Sequence, residues 1–162
     1  MLKTVRRKLR GFHSLPRFSQ IWLLPMWCVL GVAKAVIVAV SFRRLAPYLG
    51  QPCGVAAWVP LLDARQQARA LQIGRVVRLA ARYTPWESNC FTQAVAARLL
   101  LGHYEIPYVL FFGLKRDVGC PGLEAHAWVA AGRVPVIGGS SFGSFAVVGV
   151  FVAPSLGAAW AR

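Results

Sequence analysis

Residues 88–102 read SNCFTQAVAARLLLG, a polar start followed by a run of strong helix formers. Asn89 is a residue type that caps helix N-termini, and Gly102 is a typical helix stop. The stretch therefore predicts a helix over about residues 89–101, with Cys90 in its first turn.

Residues beyond this helix change to the two-residue period of strands. Gly132 separates the second and third of these segments and predicts a tight hairpin. The segments are YVLFFG at 108–113, EAHAWVAA at 124–131, RVPVI at 133–137 and FAVVGVFV at 145–152.

Residues 55–83, upstream of the Cys90 helix, carry apolar side chains at mixed three- and four-residue spacing, which is typical of helices. Gly74 lies inside this pattern and predicts a break between two helices. Helices followed by an antiparallel sheet indicate an α+β fold.

The charge of +14 on 162 residues is unevenly distributed, because Asp63 is the first acidic residue. Such a basic segment attracts anionic lipid or an acidic peptide. No nucleic-acid reader motif accompanies it, so we expect no nucleic-acid partner. The basic residues before Asp63 are Lys3, Arg6, Arg7, Lys8, Arg10, Arg17, Lys34, Arg43 and Arg44.

The run from Ile21 to Val40 is almost wholly apolar and long enough to cross a bilayer. Lys34 in its middle and Arg43 just beyond it disfavour a membrane span, and no small-residue cleavage site marks a signal peptide. We expect a helix that packs on the domain or lies on a membrane surface.

These features predict three parts of the chain: a basic arm over 1–20, a hydrophobic helix over 21–48 and a catalytic domain over 49–162. The four cysteines form no C-x-x-C pair and do not cluster with histidines, so we expect neither a metal nor another cofactor. Reduced thiols favour a cytoplasmic protein, with membrane association left open.

Cys90 and His126 are the residues that suggest chemistry. The N-terminus of a helix favours the nucleophilic thiolate, although a cysteine there is by itself more often a small buried side chain. His126 lies in an apolar strand and needs a polar partner, which either a backbone carbonyl or a thiolate across the helix–sheet interface would supply.

This pair, about 36 residues apart, resembles the catalytic cysteine and histidine of the transglutaminase-like superfamily, which has a papain-like cysteine protease fold. Within that superfamily, residues 20–152 resemble the lasso-peptide leader peptidases, the B-type maturation proteins. The matching segments are SNCFT at 88–92, RLLLG at 98–102, IP at 106–107, FG at 112–113, EAHAWV at 124–129 and GG at 138–139.

The resemblance implies a cysteine endopeptidase, with Cys90 as nucleophile and His126 as base, that removes the leader from a ribosomally synthesised precursor during antibiotic biosynthesis. Residues 1–50 contain no strand-rich stretch, so the chain resembles the stand-alone form. The implied partners are the precursor peptide, a separate winged-helix leader-binding protein and an ATP-dependent lasso cyclase. An acyltransferase and a catalytically weak scaffold remain alternatives.

One departure from the superfamily concerns the acid that usually orients the histidine from the next strand. No acidic residue follows Glu124 in this chain. A backbone carbonyl, a hydroxyl from Ser140 or Ser141, or an acid from earlier in the chain such as Glu124 is therefore expected to orient His126. Asn89 is a candidate oxyanion donor.

Overall fold

A computed structural model describes residues 14–55, 59–116 and 122–157 of the chain, without the side chains of residues 140–142. Most of the arm expected over residues 1–20 lies outside the described residues.

The main helices precede four of the five strands of an antiparallel sheet, which confirms the predicted α+β plan. The helices are α1 (Arg17–Ala39), α2 (Phe42–Leu45), α3 (Ala64–Ala81), α4 (Cys90–His103) and α5 (Pro154–Gly157), with 3₁₀ turns at Ala46–Tyr48 and Gly139–Ser144. The strands are β1 (Gln51–Pro52), β2 (Val109–Arg116), β3 (Leu123–Ala131), β4 (Val134–Ile137) and β5 (Ala146–Val152).

The strands form one antiparallel sheet in the order β1-β5-β2-β3-β4. The predicted hairpin joins β3 to β4, and Gly132 in its turn has a φ of 57°, a left-handed conformation that glycine adopts without strain. In the central pair of strands, His126 of β3 lies opposite Gly113 of β2.

Helix α3 is continuous, so the predicted break at Gly74 is wrong. The helix starts with a capping box, in which the Asp63 carboxylate accepts from the Gln66 backbone N–H at 2.7 Å. Gly74 instead permits close packing, since a Cβ there would lie 2.5 Å from the carbonyl oxygen of Val136 in β4.

The sheet has a buried cluster on each face. On one face, α3 and α4 cover side chains that include Ala127 and Val129 of β3, and α1 packs on these two helices. On the other, Trp128 packs in a smaller cluster with Val109, Phe111, Val150 and Val152. Because side chains alternate along β3, Ala127 and Val129 lie on the face that the helices cover, whereas Trp128 lies on the other face, together with the candidate residue His126.

Candidate active site

Cys90 is the first residue of α4, as the sequence predicted. Asn89 caps the helix, because its side-chain oxygen accepts from the backbone N–H of Thr92 at 3.0 Å and from the Thr92 hydroxyl at 2.9 Å. A cap of this type stabilises a helix by about 1 kcal/mol. The half-buried thiol thus lies at the positive end of the helix dipole, where an anion is favoured.

Asn89 has one remaining way to act on a substrate. Its side-chain oxygen only accepts hydrogen bonds, and does so in the cap, whereas its amide nitrogen can donate to a developing oxyanion. That role stays a prediction, as does the same role for the backbone N–H of Cys90.

The imidazole of His126 is held by aromatic rings. It stacks on Phe145 with ring centroids 5.0 Å apart and on Trp128 with centroids 5.8 Å apart. Gly113, directly across the sheet, leaves room for this stack, because a Cβ there would lie 2.6 Å from the Trp128 ring. His126 is therefore positioned by packing.

The end of β4 approaches the same imidazole. A Cβ on Gly138 would lie 3.0 Å from Nε2 of His126, and Gly138 has a φ of 75°. This is the region of the following strand where the resemblance leads one to expect an acid. The residue next to the imidazole there is a glycine, which carries no side chain.

Glu124 lies on the face of β3 that carries His126, and it interacts with Lys115. The Lys115 Nζ and Glu124 Oε2 atoms are 3.8 Å apart, with both side chains about half exposed, 44% and 55%. Orientation of His126 by Glu124 stays a prediction. The same expectation for Ser140 lies outside the described side chains.

Asn89, Cys90 and His126 line one cavity of about 630 Å³. None of the described residues that line it is an aspartate, glutamate, lysine or arginine, although the whole chain carries +14. The lining consists of Phe42, Asn89, Cys90, Phe91, Phe112, Gly113, Leu114, Ala125, His126, Ala127, Val148, Gly149 and Phe151.

Four phenylalanines form the apolar wall beside Cys90. The rings of Phe42 and Phe91 each lie 5.3 Å from that of Phe112, and the Phe151 ring lies 5.7 Å from it, all in edge-to-face arrangements. Sequence analysis named none of the four as site residues, and Phe42, just after the hydrophobic run, shares no local pattern with the other three. This wall suits an apolar group of a bound substrate.

The strand face that carries His126 follows from the alternation of side chains along β3. Helix α4 packs on the face of β3 that carries Ala127 and Val129, and its buried Ala94 and Ala97 allow this close approach. His126 lies on the opposite face with Trp128. Both Cys90 and His126 nevertheless line the same cavity, and a direct thiol–imidazole contact stays a prediction.

A family model described as the transglutaminase-like superfamily matches residues 36–150, more than two thirds of the chain. The chain belongs to the transglutaminase-like superfamily. No curated protein and no solved structure matches it. The match includes α3, α4 and strands β2 to β4, together with Cys90 and His126. Superfamily membership supports cysteine-based chemistry such as peptide hydrolysis or acyl transfer.

Proposed function

We propose that this transglutaminase-like protein is a cysteine peptidase that removes the leader from a lasso-peptide precursor. The observation that carries the proposal is that Cys90, at the start of α4, opens into the same uncharged cavity as His126. The proposed substrate, a lasso-peptide precursor, rests on the resemblance of the sequence around these two residues to the leader peptidases.

The reaction uses Cys90 as nucleophile and His126 as general acid and base. His126 takes the thiol proton, the sulfur bonds to the carbonyl carbon of the scissile peptide, and the C–N bond breaks as His126 returns the proton to the leaving amine. Water then cleaves the thioester, which releases the leader's carboxylate and regenerates the thiol.

This mechanism requires the imidazole to approach the thiol. In the structure, the ring stacks on Phe145 and Trp128 and lines the same cavity as the thiol. Catalytic contacts commonly tighten only once a substrate is bound.

The cavity also limits which part of a precursor it can hold. Its wall consists of Phe42, Phe91, Phe112 and Phe151, and none of the described lining residues is an aspartate, glutamate, lysine or arginine. Both features favour an uncharged, apolar segment next to the scissile bond.

We further propose that a separate winged-helix protein binds the leader and that an ATP-dependent cyclase takes the freed core. The protein is proposed to work in the cytoplasm.

The decisive experiment is cleavage of a lasso precursor, followed by mass spectrometry, in the presence of its leader-binding protein. We expect Cys90→Ala to abolish cleavage, whereas Cys28→Ala and Cys53→Ala, which lie outside the cavity, leave it unchanged. Cleavage by the Cys90→Ala protein would refute the cysteine mechanism. A product joined to an added amine would show acyl transfer as the main reaction.

A second candidate is a scaffold that holds precursor and cyclase without cutting. It is favoured by the sequence after Glu124, which contains no acidic residue, because the superfamily usually orients its histidine with an acid from the following strand. A wild-type protein that binds precursor and cyclase, but leaves the precursor intact in the complete mixture, would establish this role.

A further inference from the structure

The inner face of α1 is firmly attached to the rest of the protein. Met26, Leu30 and Ala33 are 2%, 0% and 5% exposed against α3 and α4. The Trp22 indole N–H donates to the Tyr104 hydroxyl at 2.8 Å, and the Trp27 indole N–H donates to the Tyr83 carbonyl at 3.1 Å. The helix therefore lies along the domain.

The outer face of α1 is apolar as well. Its exposed apolar residues recur every three or four positions and so form one stripe along the helix. Four of them are 63% to 74% exposed. The members of this stripe are Ile21, Leu24, Cys28, Val32, Ala35 and Val38.

Apolar surface continues on both sides of this outer stripe. A groove of about 680 Å³ lies between α1 and the end of α3, where it includes Ala80 and Tyr83. A second, of about 370 Å³, lies between α1, the segment around Tyr48 and the Leu99 region of α4. A continuous apolar surface of this kind marks an interaction site.

Positive charge borders the stripe at both ends. Arg17 begins α1, and Arg43 and Arg44 follow it within five residues; all three side chains are exposed. The first acidic residue of the chain is Asp63. Apolar surface flanked by cations matches a bilayer surface that contains anionic lipids, because acyl chains accept the stripe and headgroups attract the arginines.

We propose that the outer stripe of α1 attaches this protein to the surface of an anionic membrane, with the helix lying parallel to the bilayer. An 18-residue stretch of this 23-residue helix has a mean hydropathy of 2.1, so the helix could span a bilayer by length and composition alone. A span would separate its inner face from the domain and uncover Met26 and Leu30. Surface attachment keeps both sets of contacts.

Vesicle co-sedimentation of the full chain tests this attachment. The probes are vesicles of phosphatidylcholine alone and vesicles of equal parts phosphatidylcholine and phosphatidylglycerol. We expect the protein to bind the anionic vesicles at least about tenfold more tightly than the neutral ones. A double variant, Val32→Glu with Val38→Glu, should lose that binding by a similar factor.

The matched control is Val59→Glu with Leu61→Glu, which adds the same two charges at residues that are 63% and 95% exposed and lie outside α1 and both of its grooves. It should bind as the wild type does. A second variant, Arg43→Gln with Arg44→Gln, should weaken binding to the anionic vesicles alone, and it tests the proposal without altering the apolar stripe.

Three results would overturn the proposal. The first is a wild-type protein that binds neither kind of vesicle. The second is a folded Val32→Glu and Val38→Glu variant that binds as tightly as wild type. The third is membrane-bound protein that resists extraction with alkaline carbonate, which would establish a true span. Loss of self-association or of binding to a protein partner in that variant, without vesicle binding by the wild type, would assign the stripe to a protein.

Discussion

The two faces of the central sheet hold the two candidate catalytic residues by different means. On the helical face, Cys90 is placed by local structure, since the Asn89 cap determines where α4 begins. On the other face, His126 is placed by the rings of Phe145 and Trp128. A helix start can be located from a few adjacent residues, whereas a ring stack depends on several strands. The position of the imidazole is therefore more sensitive than that of the thiol to substitutions elsewhere in the sheet.

The largest effect should come from removing the imidazole. We expect His126→Ala to slow precursor cleavage by about 10²- to 10⁴-fold, because the general base is lost. Single-turnover rates measure this loss.

Truncation of His126 also removes part of the aromatic stack, so a second variant separates packing from catalysis. His126→Phe keeps a ring between Phe145 and Trp128 but has no basic nitrogen. Cleavage by His126→Phe within about tenfold of wild type, roughly 1.4 kcal/mol of barrier, would make His126 a packing residue only.

A smaller effect is expected from adding a side chain at Gly113 of β2, which lies opposite His126 and next to the rings of Trp128 and Phe145. A Cβ on Gly113 would lie 2.6 Å from the Trp128 ring and 2.8 Å from the Cβ of Phe145. We expect Gly113→Ala to lower the free energy of unfolding by about 1–3 kcal/mol, as overpacking does. Urea denaturation of the variant and of the wild type measures this difference in unfolding free energy.

The control for Gly113 is Gly122→Ala, because a Cβ on Gly122 would meet no atom within 4 Å. Its unfolding free energy should match that of wild type. Equal stability of the two variants would contradict the tight stack described for the face that carries His126.

The smallest effect is expected at Glu124. Its partner Lys115 is 3.8 Å away in a half-exposed pair, and such pairs contribute at most about 1 kcal/mol. We expect Glu124→Gln to keep cleavage within about tenfold, with Lys115→Gln as the matched change on the other partner. Loss of cleavage in Glu124→Gln alone would show that this carboxylate orients His126 after all.

Local signals predicted much of the secondary structure. The cap at Asn89, the left-handed turn at Gly132 and the alternation along β3 act over a few neighbouring residues, and the structure confirms each of them. Gly74 was wrongly predicted to break a helix. A glycine's weak helix propensity is visible in the sequence, but its close contact with the Val136 carbonyl oxygen of β4 is not.

The sequence by itself determined the α+β plan, the helix that begins at Cys90 and the strand that carries His126, because capping and periodicity are properties of adjacent residues. Only the tertiary structure decided which face of β3 the helix covers, and it alone placed the imidazole of His126 on the ring of Phe145. It alone brought Phe42, 48 residues before Cys90, into the same cavity. These arrangements follow from how side-chain volumes fill two opposing clusters, and that filling depends on residues far apart in the chain.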